Sequence, residues 1–300
     1  MLDDRNSDTR EHRRPLERSA LGRWALASCA LAIACAVAPA IADSTSAPAV
    51  RLYALDCGRF DASDMSSFSD TGEYDGRSGK LVDPCFLIRH PQGDLLWDTG
   101  LNEQTLGQTP VPGAQLHYDT PLATQLAQIG LDTSAIEFIA FSHMHFDHTG
   151  GANAFTNATW ILNARELSWA TSPEVVQTGA TDPTTFSAYA NVATQLIDGD
   201  HDVFGDGSVR ILRAPGHTPG HQMLLVTLPK AGRILLGGDL FHTKENEREW
   251  RVPVFNVNRA DTLASFDRAR RLSRSYRARF IVQHSPEDFA SLPQFPAPLE

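Results

Sequence analysis

Short apolar runs broken by turn residues alternate along the chain with longer segments in which apolar positions recur every three or four residues. Residues 51–58 (RLYALDCG) and 85–100 (CFLIRHPQGDLLWDTG) read as strands, the second a hairpin turning at 91–94. Further strands are predicted at 158–163 (ATWILN), 209–214 (VRILRA), 222–228 (QMLLVTL), 233–239 (RILLGGD) and 278–284 (ARFIVQH). Residues 120–130 (TPLATQLAQIG) predict a helix with Thr120 as N-cap, Pro121 in the first turn and Gly130 at the stop. Residues 260–276 predict another, with Leu263, Phe266 and Leu272 along one side and arginines on the other. Strands and helices mixed without strict alternation point to layered sheets with helices outside. No change of composition splits residues 50–300 into two domains. The stretch 60–80 is polar and glycine-rich, with Phe60, Met65 and Phe68 scattered through it. It reads as a lid or binding loop, or as a disordered segment.

One apolar run, AIEFIAFS (135–142), ends in an unusual way. Three histidines and an aspartate fall within six positions of FSHMHFDHTGG (141–151), followed by two glycines. In an extended chain the side chains at i and i+2 share a face, so His143 and His145 point at one spot. Asp147 and His148 approach that spot after the chain has turned. Solvated loop residues are the alternative, but imidazole with carboxylate is the donor set of divalent zinc, iron or cobalt. One cluster offers too few donors for two enclosed ions, so partners are required elsewhere. APGHTPGH (214–221) supplies His217, with Gly216 freeing the backbone before it. LLGGDLFH (235–242) supplies Asp239, and IVQHSPED (281–288) supplies His284, each where an apolar strand stops. Four strand ends thus present donors, which together predict one metal centre. Asp98 is expected to hydrogen-bond the histidine-rich loop rather than bind metal. His221 is read as a support or a helix start, and His242 as pocket-lining or simply buried. His12, His90, His117 and His201 are expected at the surface.

Composition narrows the partners and the compartment. With 42% hydrophobic residues in 300, the chain can bury a normal core. A net charge of −10, spread evenly, excludes a nucleic-acid-binding face. The first 23 residues hold six arginines and five acidic residues, and the next 19, WALASCALAIACAVAPAIA, hold no charge. With Ala40-Ile41-Ala42 before Asp43, this predicts a secretory signal over 1–42 and a mature domain over 43–300. The expected location is periplasmic or secreted, with no stable membrane contact after cleavage. An uncleaved anchor is the alternative, because 19 residues nearly span a bilayer. The mature chain keeps only Cys57 and Cys85, which either pair in an oxidising compartment or stay separate buried thiols.

The pattern H-x-H-x-D-H followed by single His, Asp and His at strand ends resembles the metallo-β-lactamase superfamily over roughly residues 51–290. The resemblance implies an α/β fold, a single-domain, four-layered αβ/βα sandwich. It implies that His143, His145 and His217 hold one divalent ion, that Asp147, His148 and His284 hold a second, and that Asp239 bridges them. Zinc is the expected metal, with iron, cobalt and manganese suited to the same donors. Several branches are excluded. His145 stands where flavodiiron relatives carry glutamate, and only 16 residues follow His284, too few for the glutathione-binding tail of glyoxalase II relatives. True metallo-β-lactamases lack the bridging aspartate, and nuclease branches carry extra domains and basic surfaces. The segments LYALDCGRF, PCFLIRHPQGDLLWDTGL, HMHFDHTGG, APGHTPGHQ and HTKEN are most similar to N-acyl-homoserine lactonases. That family places a substrate-binding tyrosine before an EGD-like turn; in NVATQLIDGD the place falls on Thr194, with Tyr189 the nearest tyrosine.

The implied activity is hydrolysis of a lactone, most of all an N-acyl-homoserine lactone, which would quench quorum signals. Two divalent ions bring the pKa of a shared water to about 7 and polarise the carbonyl. Asp239 would fix their spacing and Asp147 accept a proton in transit, while Phe60, Met65 and Phe68 cover the acyl chain. The alternatives are hydrolysis of other lactones, aryl esters or organophosphates, a divergent β-lactamase, and metal binding without turnover. A homodimer is compatible with the sequence.

Overall fold

The structure, a computed structural model, describes residues 49–102 and 113–300; the segment expected to be a signal and His12 lie outside them. Two sheets arise because the central strands are apolar on both faces. In β1 (Arg51–Ala62), Leu52 and Ala54 face one cluster while Tyr53 and Leu55 face another. In β2 (Gly79–His90), Phe86 and Ile88 alternate in the same way with Cys85 and Leu87. Such doubly buried strands need cover on both sides, which a layered sandwich provides.

The first sheet continues through β3 (Gly93–Trp97), β4 (Ala114–His117), β5 (Phe138–Ala140), β6 (Thr159–Asn163) and β7 (Thr194–Ile197), in the order β4-β1-β2-β3-β5-β6-β7. The pairs among β1 to β4 are antiparallel, whereas β3, β5, β6 and β7 run parallel. The second sheet contains β8 (His201–Asp202), β9 (Val209–Arg213), β10 (Gln222–Leu228), β11 (Gly232–Leu236) and β12 (Arg279–Ile281), ordered β12-β11-β10-β9-β8. The central core joins the two sheets, with Trp97 and Ile161 of the first in one cluster with Ile211, Leu224 and Leu236 of the second. Each fully buried aliphatic or aromatic side chain there contributes roughly 1.5–3 kcal/mol.

Helices cover the outer faces. Helix α1 (Leu122–Gln128) lays Leu122 and Leu126 on the first sheet. It begins one residue later than the sequence suggests: Pro121, not Thr120, occupies the N-cap, and the Leu122 amide donates to the Tyr118 hydroxyl. Four short helices follow, α2 (Phe146–Thr149), α3 (Ala164–Ala170), α4 (Pro173–Val176) and α5 (Lys244–Glu249). On the second sheet lies α6 (Arg259–Tyr276), capped by the Asn258 side chain, which accepts from the amides of Ala260 and Asp261. Its buried Phe266 and Ala269 meet Leu212, Met223 and Leu225. The chain closes with α7 (Pro286–Ala290). Layers of helix, sheet, sheet and helix result, as expected, in a single domain. Among the described residues no helix is long and apolar enough to cross a membrane.

Two expectations change and one open alternative closes. The 60–80 stretch is neither free lid nor disordered: Phe60, Met65 and Tyr74 are buried with Leu81, Leu101 and Leu116 in a small satellite core. His90 is buried rather than superficial, stacked on Phe204 at 3.9 Å between centroids, with Asp206 3.0 Å from its Nε2. Cys57 and Cys85 form a disulfide between neighbouring strands, with Cα atoms 5.7 Å apart.

Candidate metal centre

Each donor leaves from a strand end. β5 leads into His143 and His145, and the short helix α2 that follows carries Asp147 and His148. β9 leads to His217, β11 to Asp239 and β12 to His284. Glycine is required twice. Gly216 has φ +137°, and a Cβ there would lie 2.2 Å from the Thr262 amide nitrogen at the start of α6. Gly238 has φ +54°, and a Cβ there would lie 2.7 Å from the His221 ring. In both cases any larger residue would displace the neighbouring donor.

The donors converge in two groups. His143, His145, His217 and Asp239 place one ligand atom each within 4.8 Å of one another, and Asp83, Asp147, His148 and His284 do the same; all eight are buried. In the first group, the Nε2 of His143 and Nδ1 of His145 are 2.8 Å apart, and the Nε2 of His217 lies 3.2 and 3.0 Å from them. Asp239 faces both groups. Its Oδ2 is 3.6 Å from His143 Nε2 and 3.4 Å from His217 Nε2, while its Oδ1 is 3.2 Å from His148 Nε2 and 2.8 Å from His284 Nε2. Asp147 lies between the last two, 3.8 Å from His148 and 3.9 Å from His284. The seven residues singled out in the sequence are thus brought to one place.

Divalent cations fit this arrangement on two grounds. The Nε2 of His148, the Oδ1 of Asp239 and both oxygens of Asp83 are buried without a hydrogen-bond partner, which is costly unless a cation meets them. Three imidazole nitrogens pointing at one another need a shared electrophile between them. Electrostatics divides the groups. Burial, with neighbouring imidazoles, holds His143 and His217 well below the usual histidine range and His145 at about 4, so these rings are neutral and free to donate lone pairs. In the second group burial opposes charge, but Asp239 leads the surrounding carboxylates in lifting His284 to about 9 and His148 well above its ordinary value. Burial likewise opposes charge on Asp239, which His284 and His148 nevertheless hold well below the usual carboxylate range. Burial and Asp147 push Asp83 well above it.

Supporting groups fix the donors. Asp98, held at φ +60°, accepts from the Ser142 amide (2.7 Å) and hydroxyl (2.9 Å), from Gln283 Nε2 (2.8 Å) and from His148 Nδ1 (3.0 Å), the role expected of it. His221 supports rather than ligates: its Nδ1 donates to the Ala214 carbonyl (3.0 Å), and its Nε2 accepts from the Asp239 amide (2.9 Å). His284 Nδ1 donates to the Val82 carbonyl at 2.7 Å. Glu166 joins two loops, accepting from the Met144 amide between His143 and His145 (2.9 Å) and from the Gly220 amide beyond His217 (2.8 Å). Burial raises Glu166 to about 7 despite these donors. Asp83, Glu166 and Gln283 were not identified in the sequence. A lone carboxylate inside the apolar run LVDPCFLI was the signal available for Asp83.

The expected substrate contacts divide. Phe60 sets its ring edge-on to His284, with centroids 6.0 Å apart, and Phe68 does the same to His242 at 5.4 Å. Met65 lines a cavity of about 420 Å³ with Tyr74, Arg77, His242 and Lys244. Among the described residues, Thr194 and Tyr189 make their contacts away from the donors. Thr194 is exposed at the start of β7, pairs with Trp160 and hydrogen-bonds the carbonyls of Tyr189 and Val192; Tyr189 packs on the outer core beside Phe186. A gapless reading of NVATQLIDGD could not show that this segment forms a sheet edge. His242 is the polar residue found there instead: it is 3% exposed, its Nε2 is 3.0 Å from Asp239 Oδ2, and its ring faces Phe68 and Phe255.

A sandwich of two sheets carrying these paired donor groups at its strand ends matches the Metallo-beta-lactamase superfamily over residues 79–279, and the chain belongs to that superfamily. Its relatives narrow the class. The N-acyl homoserine lactonase AttM of Azorhizobium caulinodans is 29% identical over 259 residues, 82% of this chain and 97% of that protein. An N-acyl homoserine lactonase of a Bacillus species is 31% identical over 261 residues, with the same coverage. Among solved structures, an N-acyl homoserine lactone hydrolase with the product N-hexanoyl-L-homoserine bound at its catalytic metal center superposes with a TM-score of 0.72 at 26% identity, covering 84% of this chain and 99% of that one.

Proposed function

We propose that this chain is a metal-dependent hydrolase that uses two divalent cations to open lactones, N-acyl-homoserine lactones in particular. The observation that carries the reading is an apolar wall beside a buried, doubly facing aspartate. Val254, Phe255 and Val257 are 60%, 41% and 49% exposed, and the Phe255 ring lies 5.2 Å from His242, 5.4 Å from Phe68 and 5.9 Å from His217. Exposed apolar side chains gathered at a polar site suit a ligand with a polar head and an apolar tail. The lactonase relatives and the product-bound neighbour point the same way.

His143, His145 and His217 would hold one cation and Asp147, His148 and His284 the other, with Asp239 shared. When bound, such cations bring the pKa of water to about 7 and polarise an ester carbonyl. The protein does the rest. Asp239 fixes the separation of the two groups by presenting one oxygen to each. Asp147, at the rim of the second group, accepts a proton as water adds to the carbonyl carbon and passes it to the ring oxygen as the acyl–oxygen bond breaks. His242, whose Nδ1 has no partner, can donate to the substrate head, and Phe68 and Phe255 exclude water along the acyl chain. Each turnover releases one carboxylic acid and hence one proton near neutral pH.

A panel on metal-loaded protein with a pH indicator tests this. N-acyl-homoserine lactones should be opened readily, and cephalosporins and aryl esters at least a hundredfold more slowly. Fast cephalosporin opening without a lactone signal would overturn the reading. Export to an oxidising compartment is part of the same proposal, supported by the Cys57–Cys85 bond. Protein recovered from the cell envelope should begin near Asp43, and a membrane-bound form retaining 1–42 would refute cleavage.

A further inference from the structure

We propose that Asp83 is an eighth metal-binding side chain, which joins Asp147, His148 and His284 around the second cation and makes that position the more anionic of the two. The inference rests on the two-cation reading. Asp83 lies in β2, is 1% exposed, and has neither carboxylate oxygen hydrogen-bonded. Two backbone features aim it. The Val82 amide donates to the His284 carbonyl at 3.2 Å while His284 Nδ1 donates back to the Val82 carbonyl, so the residue next to Asp83 is locked to a donor of the second group. On its other side β1 bulges between Asp56 and Arg59, and a Cβ on Gly58 of that bulge would come within 3.3 Å of Asp83 Oδ2. Bulges commonly re-aim side chains beside active sites.

The leading charges around Asp83 are Asp147, His148, His284 and Asp98, and none of these is a lysine or arginine. An ionised carboxylate without donors in such surroundings is costly by several kcal/mol and is retained where a cation neutralises it. The first group contains three imidazoles and the shared Asp239. The second contains two carboxylates of its own, two imidazoles and the other oxygen of Asp239. Oxygen-rich sites suit harder cations, so the second position should accept Mn²⁺ more readily than the first.

The test is a Co²⁺ titration of the metal-free full-length chain against a competing chelator, following the visible Co²⁺ bands, for the parent, Asp83→Asn and Asp83→Val. The parent should bind two ions in two steps. Both variants should keep the first step unchanged, bind the second ion at least tenfold more weakly, and show altered bands for it. Metal-free Asp83→Val should also melt higher than the parent, since a stranded carboxylate is replaced by an apolar group of similar size. Second-step affinity and bands equal to the parent in either folded variant would overturn the proposal, and so would equal weakening of both steps. A parent that binds one ion only would instead defeat the two-cation reading on which it rests.

Discussion

Glu166 offers the sharpest quantitative check on how the two histidine loops are joined. It is 2% exposed, and its carboxylate accepts from one amide on each loop, yet burial still raises it from 4.5 to about 7. The sign follows from linkage. A group whose folded pKa is raised binds its proton more tightly when folded, so its stabilisation is full below the unfolded value and lost as pH rises through the folded one. Here the loss begins near 4.5 and is complete somewhat above 7. At about 1.4 kcal/mol per pH unit, that interval corresponds to roughly 3 kcal/mol. Glutamine resembles the protonated form, with one oxygen able to accept and no charge to bury.

Glu166→Gln should therefore lie about 1–3 kcal/mol below the parent near pH 4.5, the cost of one stranded amide, and gain about 3 kcal/mol on it by pH 8.5. The assay is reversible urea unfolding of metal-free protein with its disulfide intact, repeated across that range. The difference between variant and parent is taken at each pH, so the titrations of the metal-site histidines and aspartates cancel. A difference that stays flat to within about 0.5 kcal/mol, or that falls with pH, would refute the reasoning. Metal affinity should move the opposite way in the variant, because one of the two loop amides loses its acceptor once the carboxylate is gone.

Other perturbations bear on different parts of the molecule. Asp239→Ala removes an oxygen from each donor group, so elemental analysis should find both cations depleted and the rate lowered by more than the roughly 10–100-fold that loss of a supporting group costs; retention of both cations would refute the shared role. Replacing Cys57 and Cys85 by serine opens a crosslink between residues 28 apart in sequence and should lower unfolding stability by about 3–4 kcal/mol in urea melts. Phe255→Ala removes part of the apolar wall and should raise KM for long-chain acyl lactones about tenfold, with a smaller effect on short chains; equal effects on both would place the acyl chain elsewhere.

What the sequence disclosed depended on where the information lay. His143, His217, Asp239 and His284 were legible because each stands where an apolar run stops, and a strand end is a local feature. The doubly apolar strands were legible as strands for the same reason. Their order was not: β4 pairs with β1 across more than fifty intervening residues, and β3 with β5 across an excursion that includes α1. The place of Thr194 was not legible, because a substrate contact depends on which edge a segment occupies, and β7 is a sheet edge. Asp83 and Glu166 show the same limit from the other side. Alone, each is a carboxylate in or beside an apolar stretch, a pattern that usually marks a solvated break. Glu166 acquires its meaning when Met144 and Gly220 arrive from loops more than twenty and fifty residues away. Asp83 acquires its meaning when His284 hydrogen-bonds Val82 across 202 residues of sequence. A buried charge in an apolar strand is therefore the feature to trace through the tertiary structure first, because folding tolerates it only where some distant group or ion compensates it.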